Sequence, residues 1–303
     1  MSELSAKVKG FIGRNKVLVG GLLIMAILLL GTLAYSGMWP PVYVVESASM
    51  QHSDTTSKLG IIDTGDLVLV RSSDGTGVRT YVESFSEGHR SFGDYGDVIV
   101  YERYGNPDAT PIIHRAMMRL EYNQTAHSFD VPSLASLPLS KWGNGGLEEG
   151  RWWNLSGWVD VYDVGYRSAL LRVDLSSLLT HYSQEGLSHD GIITMGDHNL
   201  QPTSDGYLGV YDQSPSVSIC RDPVRDEWIV AEAKLELPWL GLVKLWVNGD
   251  MPANTPENSK TNLLVLLALL IVVPLAIDLA GLVLQRRGID PWATLRERLR
   301  RGK

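Results

Sequence analysis

Residue types that cooperate in acyl transfer occur at three separated places in this chain. A serine-rich turn, Ser47-Ala-Ser-Met50, follows the apolar stretch Pro41-Val-Tyr-Val-Val45. Ile112-Ile-His-Arg115 sets a histidine at the end of an apolar run, and Thr194-Met-Gly-Asp-His-Asn199 sets an acid in a tight turn after Gly191-Ile-Ile193. A serine hydroxyl is a weak nucleophile at its own pKa, and an imidazole beside it takes its proton during attack. A carboxylate on the far ring nitrogen holds the productive tautomer and stabilises the imidazolium. Ser49, His114 and Asp197 are thus candidates for nucleophile, general base and orienting acid. His52, His89, His127, His181 and His189 have no metal-ligand spacing among them, and H-E-x-x-H and paired-cysteine motifs are missing. Neither a zinc site nor a cofactor is expected.

The elements that must position these residues start with a membrane. Of 303 residues, 44% are hydrophobic and 20% charged, which excludes a disordered polyampholyte. The apolar residues bunch at the two ends of the chain. Residues 17–38 contain no charge and are long enough to cross a hydrocarbon layer about 30 Å thick. Residues 263–284 form a second span, interrupted by Pro274 and by Asp278 near its far end, where an acid reaches the interface most easily. Lys7, Lys9, Arg14 and Lys16 against Glu3 leave residues 1–16 at +3; the stretch from Asp278 to the last residue carries +4, and the part between the spans −14. The positive-inside rule then expects both ends, 1–16 and 285–303, in the cytoplasm and residues 39–260 outside. The first apolar core is longer than that of a cleavable signal peptide and lacks an A-x-A exit, so it reads as a retained anchor. A charge of −14 argues against nucleic acid as a partner, and Cys220, the single cysteine, excludes an internal disulfide.

Between the spans, short β-branched runs dominate. Asp66-Leu-Val-Leu-Val-Arg71, Asp97-Val-Ile-Val-Tyr-Glu102, Pro111-Ile-Ile-His-Arg-Ala-Met-Met118 and Trp228-Ile-Val-Ala-Glu-Ala-Lys-Leu235 have the length and composition of strands, and no comparable stretch shows a convincing helical period. The expectation is a mainly β ectodomain with insertions at about 72–95 and 122–188. The second is long enough for its own sheet, with strands at Trp158 to Tyr162 and Ala169 to Asp174. Its tryptophans, Trp142, Trp152, Trp153 and Trp158, read either as a satellite core or as a partner-binding surface. Leu235 to Val247, with Trp239 and Trp246, reads either as core or as a segment dipping into the headgroup region.

The motifs follow a known order: Ser-Ala-Ser-Met, Gly65-Asp-Leu-Val, Gly96-Asp-Val-Ile-Val-Tyr, Ile-Ile-His-Arg and Gly-Asp-His-Asn, beside an amino-terminal anchor. Together they resemble archaeal and endoplasmic-reticulum-type signal peptidase I. Leu237-Pro-Trp-Leu-Gly241 and the second span resemble the carboxy-terminal anchor region of the eukaryotic relatives. The resemblance implies a membrane-anchored, β-rich catalytic domain flanked by two transmembrane helices. It also implies a serine endopeptidase that removes signal peptides from secretory preproteins bearing small residues before the cut. Ser49 maps to the nucleophile and His114 to the base, where the bacterial branch has lysine. The family acids map to Asp197 and Asp205, with Asp212 a rival for the second because the spacing is stretched; His198 departs from the usual Gly-Asp-Asn-Asn. Ser47 occupies the place of an oxyanion donor in the bacterial relatives, beside the backbone N–H of Ser49. Val44, Val45 and Ile112 are expected to line the substrate site for an extended strand. Implied partners are preproteins, membrane lipid and secretion machinery. The rival reading keeps the β module and loses the chemistry: an inactive, membrane-anchored scaffold for that machinery.

Overall fold

The structure, a computed structural model, describes residues 16–217 and 219–287. The basic end segments read above as cytoplasmic therefore lie, apart from Lys16 and 285–287, outside the described residues. Helix α1 (Lys16–Ser36) is apolar all round, and its Leu22, Leu23, Ile24 and Met25 are more than half exposed, with no protein packed on them. At 1.5 Å per residue it is about 31 Å long, matching a hydrocarbon layer of about 30 Å. It stops two residues before the expected 38 because Gly37 turns left-handed, at φ 68°, and donates its N–H to Leu33 O.

Strand β1 (Val42–Val44) follows, then β2 (Leu67–Ser72), the helix α2 (Tyr81–Glu87), the hairpin β3 (Arg90–Ser91) and β4 (Asp94–Tyr95), and β5 (Val98–Tyr101). The chain continues through β6 (Ile112–Asn123), β7 (Ser128–Asp130), β8 (Trp142–Gly143), β9 (Trp158–Val164), β10 (Ala169–Asp174), helix α3 (Leu175–Glu185), β11 (Gly191–Met195), β12 (Leu200–Thr203), β13 (Gly206–Gly209) and β14 (Ile229–Leu237). Helix α4 (Gly241–Asn248) and helix α5 (Glu257–Arg286) complete it. One sheet runs β1-β2-β14-β5-β6-β11, with β7 added to β6, and curls into a half-barrel. The other runs β12-β13-β10-β9-β8. The protein is thus β-rich, with two helices long and apolar enough to cross a membrane. The second helix starts at Glu257, six residues ahead of the expected Leu263, because its polar first turn is tied down: Ser57 N donates to Asn258 Oδ1 at 2.8 Å.

Three helices interrupt the β framework where none was expected. Thr80 and Glu83 form a reciprocal capping box on α2, and Asp174 caps α3 by accepting from Ser177 N. Buried Leu175, Leu178 and Tyr182 fix α3 against the second sheet. The insertion expected at 122–188 also does not close on itself. The hairpin β12–β13, beyond its expected end, joins it through a parallel pairing of β10 with β13 (Leu170↔Leu208). Among the tryptophans of this lobe, Trp142 is buried in its core and Trp152 packs against it, whereas Trp153 and Trp158 face outward. The satellite-core reading therefore holds for Trp142 and Trp152 and not for Trp153 and Trp158.

Below β2 and α4 lie three buried carboxyl groups. Asp66 accepts from Trp239 N and Asp63 N, each at 2.8 Å; Asp63 accepts from Lys58 N; Glu236 accepts from Gly60 N. Burial pushes Asp66 from 3.8 and Glu236 from 4.5 to about 7, the neighbouring acids adding to it against the opposing N–H donors. Both values exceed those of the unfolded chain, so the native state holds more protons between about pH 4 and pH 7, and stability falls as pH rises across that window. Thermal midpoints are expected to drop from pH 5 to pH 7.5, and the drop to flatten in the Asp66→Asn/Glu236→Gln double variant. An equal drop in both proteins would disprove this assignment.

Candidate active site

Ser49 sits in an irregular segment between β1 and β2, fixed by its neighbours and not by a sheet. Met50 is buried, and Gln51, fully buried, accepts from Thr64 N at 3.1 Å and from the Thr64 hydroxyl. His114 lies on β6, in register with Ile99 of β5, and is 4% exposed. The turn after β11 brings the two together. A β-carbon on Gly196 would stand 2.9 Å from His114 Nε2 and 2.9 Å from Ser49 Cβ, and would clash with Ser49 O. Only a residue without a side chain lets Ser49 and the imidazole approach there.

The far ring nitrogen decides the proton's place. His114 Nδ1 lies 2.7 Å and 2.9 Å from the two carboxylate oxygens of Asp212, which is wholly buried. A carboxylate accepts only, so Nδ1 carries the proton and Nε2, the nitrogen beside Gly196, is left with its lone pair. Asp212 also accepts from the Tyr101 hydroxyl at 2.7 Å and from Thr194 Oγ1 at 2.7 Å. Burial, reinforced by the Asp212 charge, pushes Tyr101 well above the usual phenol range and keeps it a donor. The arrangement can run general-base attack by a serine hydroxyl: nucleophile, base with the correct tautomer, and a buried acid with a fixed orientation.

Two expected acids stand elsewhere. Asp197 forms a bidentate pair with Arg115, at 2.7 Å to Nε and 2.6 Å to Nη2, and accepts from His52 Nε2 at 3.0 Å. Successive strand residues point to opposite faces, so the residue after His114 carries its guanidinium away from the imidazole. There Arg115, 1% exposed, also donates to the carbonyls of Ser91, Tyr95 and Gly96. Burial alone would raise Asp197, but Arg115 and His52 outweigh it and hold its carboxyl down at about 2. Asp205 is exposed in the turn between β12 and β13. The acid on His114 is therefore Asp212, not Asp197 or Asp205.

The other named positions gather at one cavity of about 420 Å³, lined by Val44, Val45, Ile112, Ser47, Ser49 and His114 among others. Ser47 Oγ lies 3.1 Å from Ser49 Oγ. At the mouth Lys244 of α4 pairs with Glu46 at 3.0 Å. The free edge of β1 borders this groove, since among the described residues β1 pairs with β2 alone. Sequence reasoning left out Tyr101, Thr194 and Gly196. Only Gly196 had a local signal, as the glycine of the Gly-Asp-His-Asn turn. Among the described residues no group of three or more His, Cys, Asp or Glu side chains could hold a metal ion. Comparison with protein-family models, with curated proteins and with solved structures finds no match for this chain.

Proposed function

We propose that this chain is a membrane-anchored serine endopeptidase of the signal peptidase I type, acting on the extracytoplasmic side on preproteins with small residues before the cut. The observation that carries this reading is the convergence of Ser49 and His114 Nε2 on Gly196 while Asp212 holds His114 Nδ1. His114 takes the Ser49 proton as Oγ attacks the scissile carbonyl, and returns it to the departing amine; water then repeats the cycle on the acyl-enzyme. A hydroxyl at Ser47 and the Ser49 N–H would donate to the oxyanion. A substrate laid as an extended strand along β1 would present alternate side chains to Val44, Val45 and Ile112.

The flanking elements suit a substrate at a lipid surface. Ser49 follows the end of α1 by only 13 residues, and α5 begins from a segment bonded to Ser57. Helix α4 buries Leu242 and Leu245 and leaves Trp246 75% and Val247 77% exposed, the profile of a helix lying in the headgroup region. Purified protein in detergent, given a secretory preprotein, is expected to release a mature chain whose new N-terminus follows an alanine or glycine. Intact preprotein after prolonged incubation, or cuts indifferent to a bulky residue at that position, would refute the assignment.

A further inference from the structure

A tyrosine of the lobe built on the second sheet meets the nucleophile segment. Tyr166, in the turn between β9 and β10, stacks on His52 with ring centroids 4.4 Å apart and planes at 10°. Its ring is also parallel to that of His198, at 6.4 Å and 8°, and its hydroxyl lies 2.8 Å from His198 Nδ1. The far nitrogen of His198 donates to the Asp54 carboxylate at 2.8 Å, and Nδ1, beside the Tyr166 hydroxyl, also lies 3.1 Å from Gln51 O in the nucleophile segment. Burial raises the Tyr166 phenol, against the opposing Arg167, and keeps it neutral.

Both histidines are joined to the reacting groups. His52 is three residues beyond Ser49 and donates to Asp197; the His198 N–H donates to Ser49 O at 2.8 Å, next to Gly196 in the same turn. The stretch from Ser47 to Asp54 lies outside the strands, so the His198 N–H bond and side-chain contacts hold it in place. We propose that Tyr166 is a positioning residue for Ser49, through which the inserted lobe sets the rate of acyl transfer. This rests on the serine-hydrolase reading of the site. Tyr166 touches neither Ser49 nor His114; it clamps the two segments that do. An error of about 1 Å in such geometry costs on the order of 10²-fold in rate.

The test compares wild type with Tyr166→Ala, Tyr166→Leu and Tyr166→Phe, reading preprotein cleavage, the rate of Ser49 labelling by a fluorophosphonate, and the thermal midpoint. Ala and Leu are expected to lower kcat by about tenfold or more with KM changed by less than about threefold, and to slow labelling in parallel, at an unaltered folded fraction. Phe keeps the stack and is expected to restore kcat to within about threefold of wild type. Wild-type kcat and labelling in Ala or Leu, a change confined to KM, or a loss fully accounted for by unfolded protein would overturn the role of Tyr166. A wild-type protein that neither cleaves nor labels would instead overturn the hydrolase reading, so the two failures are distinguishable.

Discussion

Ser49→Ala and His114→Ala are each expected to lower kcat by about 10⁶-fold, and the double variant by hardly more. The reason is geometric. Ser49 Cβ and His114 Nε2 flank one point above Gly196, so in the proposed mechanism the hydroxyl and its base act as one unit and losing either member removes the activated nucleophile. Ser49→Ala removes no structural support, whereas His114→Ala takes a buried partner from Asp212, so its rate is read per folded protein. Ser49 is only part-buried, and the segment around it stays anchored by Met50 and Gln51. KM should therefore change little, because Val44, Val45 and Ile112 remain in place. His114→Lys should not rescue the His114→Ala loss: a lysine side chain is longer, has no second nitrogen for Asp212, and works as a base only with a depressed pKa. Initial rates on a preprotein check all four variants. Rates that multiply independently, or a Ser49→Ala protein that still cleaves, would disprove the coupling.

Asp212→Asn is expected to lower kcat on the order of 10⁴-fold with the fold intact. The asparagine keeps an oxygen for Tyr101 and Thr194 but offers an amide donor as well. A donor facing Nδ1 drives the histidine proton to Nε2, where it blocks uptake of the serine proton. Asp205→Asn, in an exposed turn, should leave kcat unchanged. Asp197→Asn has the opposite signature to Asp212→Asn. It strands the buried Arg115 charge, so it should destabilise the protein by about 3–5 kcal/mol and reduce activity through the folded fraction. Denaturant midpoints and rates on the same three proteins separate these outcomes. A rate loss in Asp197→Asn at full stability, with Asp212→Asn unaffected, would assign the acid the other way.

How far the residues themselves foretold this arrangement depends on the range of the interaction. The β-rich character and the two apolar helices follow from composition and period, which are local. Helix α3 was equally open to reading: Leu175, Leu178, Leu179 and Tyr182 recur at helical spacing behind an Asp cap, yet the β-branched runs around it dominated. The second sheet was not local. Its parallel β10–β13 pairing joins residues separated by helix α3 and strands β11 and β12, and no turn signal announces such a partner. The acid on His114 was hidden for the same reason. Gly-Asp-His-Asn does come to the site, but Arg115, one residue past His114, claims Asp197 on the opposite face of β6. A buried arginine beside the base was the available clue, since a guanidinium withdrawn from water requires a carboxylate. Which of three acids it would take was decided by the path of β11 to β13.

The most direct measurement is to treat the detergent-solubilised protein with a fluorophosphonate and map the adduct by peptide mass spectrometry. The structure predicts one modified residue, Ser49, labelled in wild type and unlabelled in His114→Ala. An adduct on another serine, or labelling of Ser49 that persists undiminished without His114, would contradict the proposal that this imidazole activates this hydroxyl.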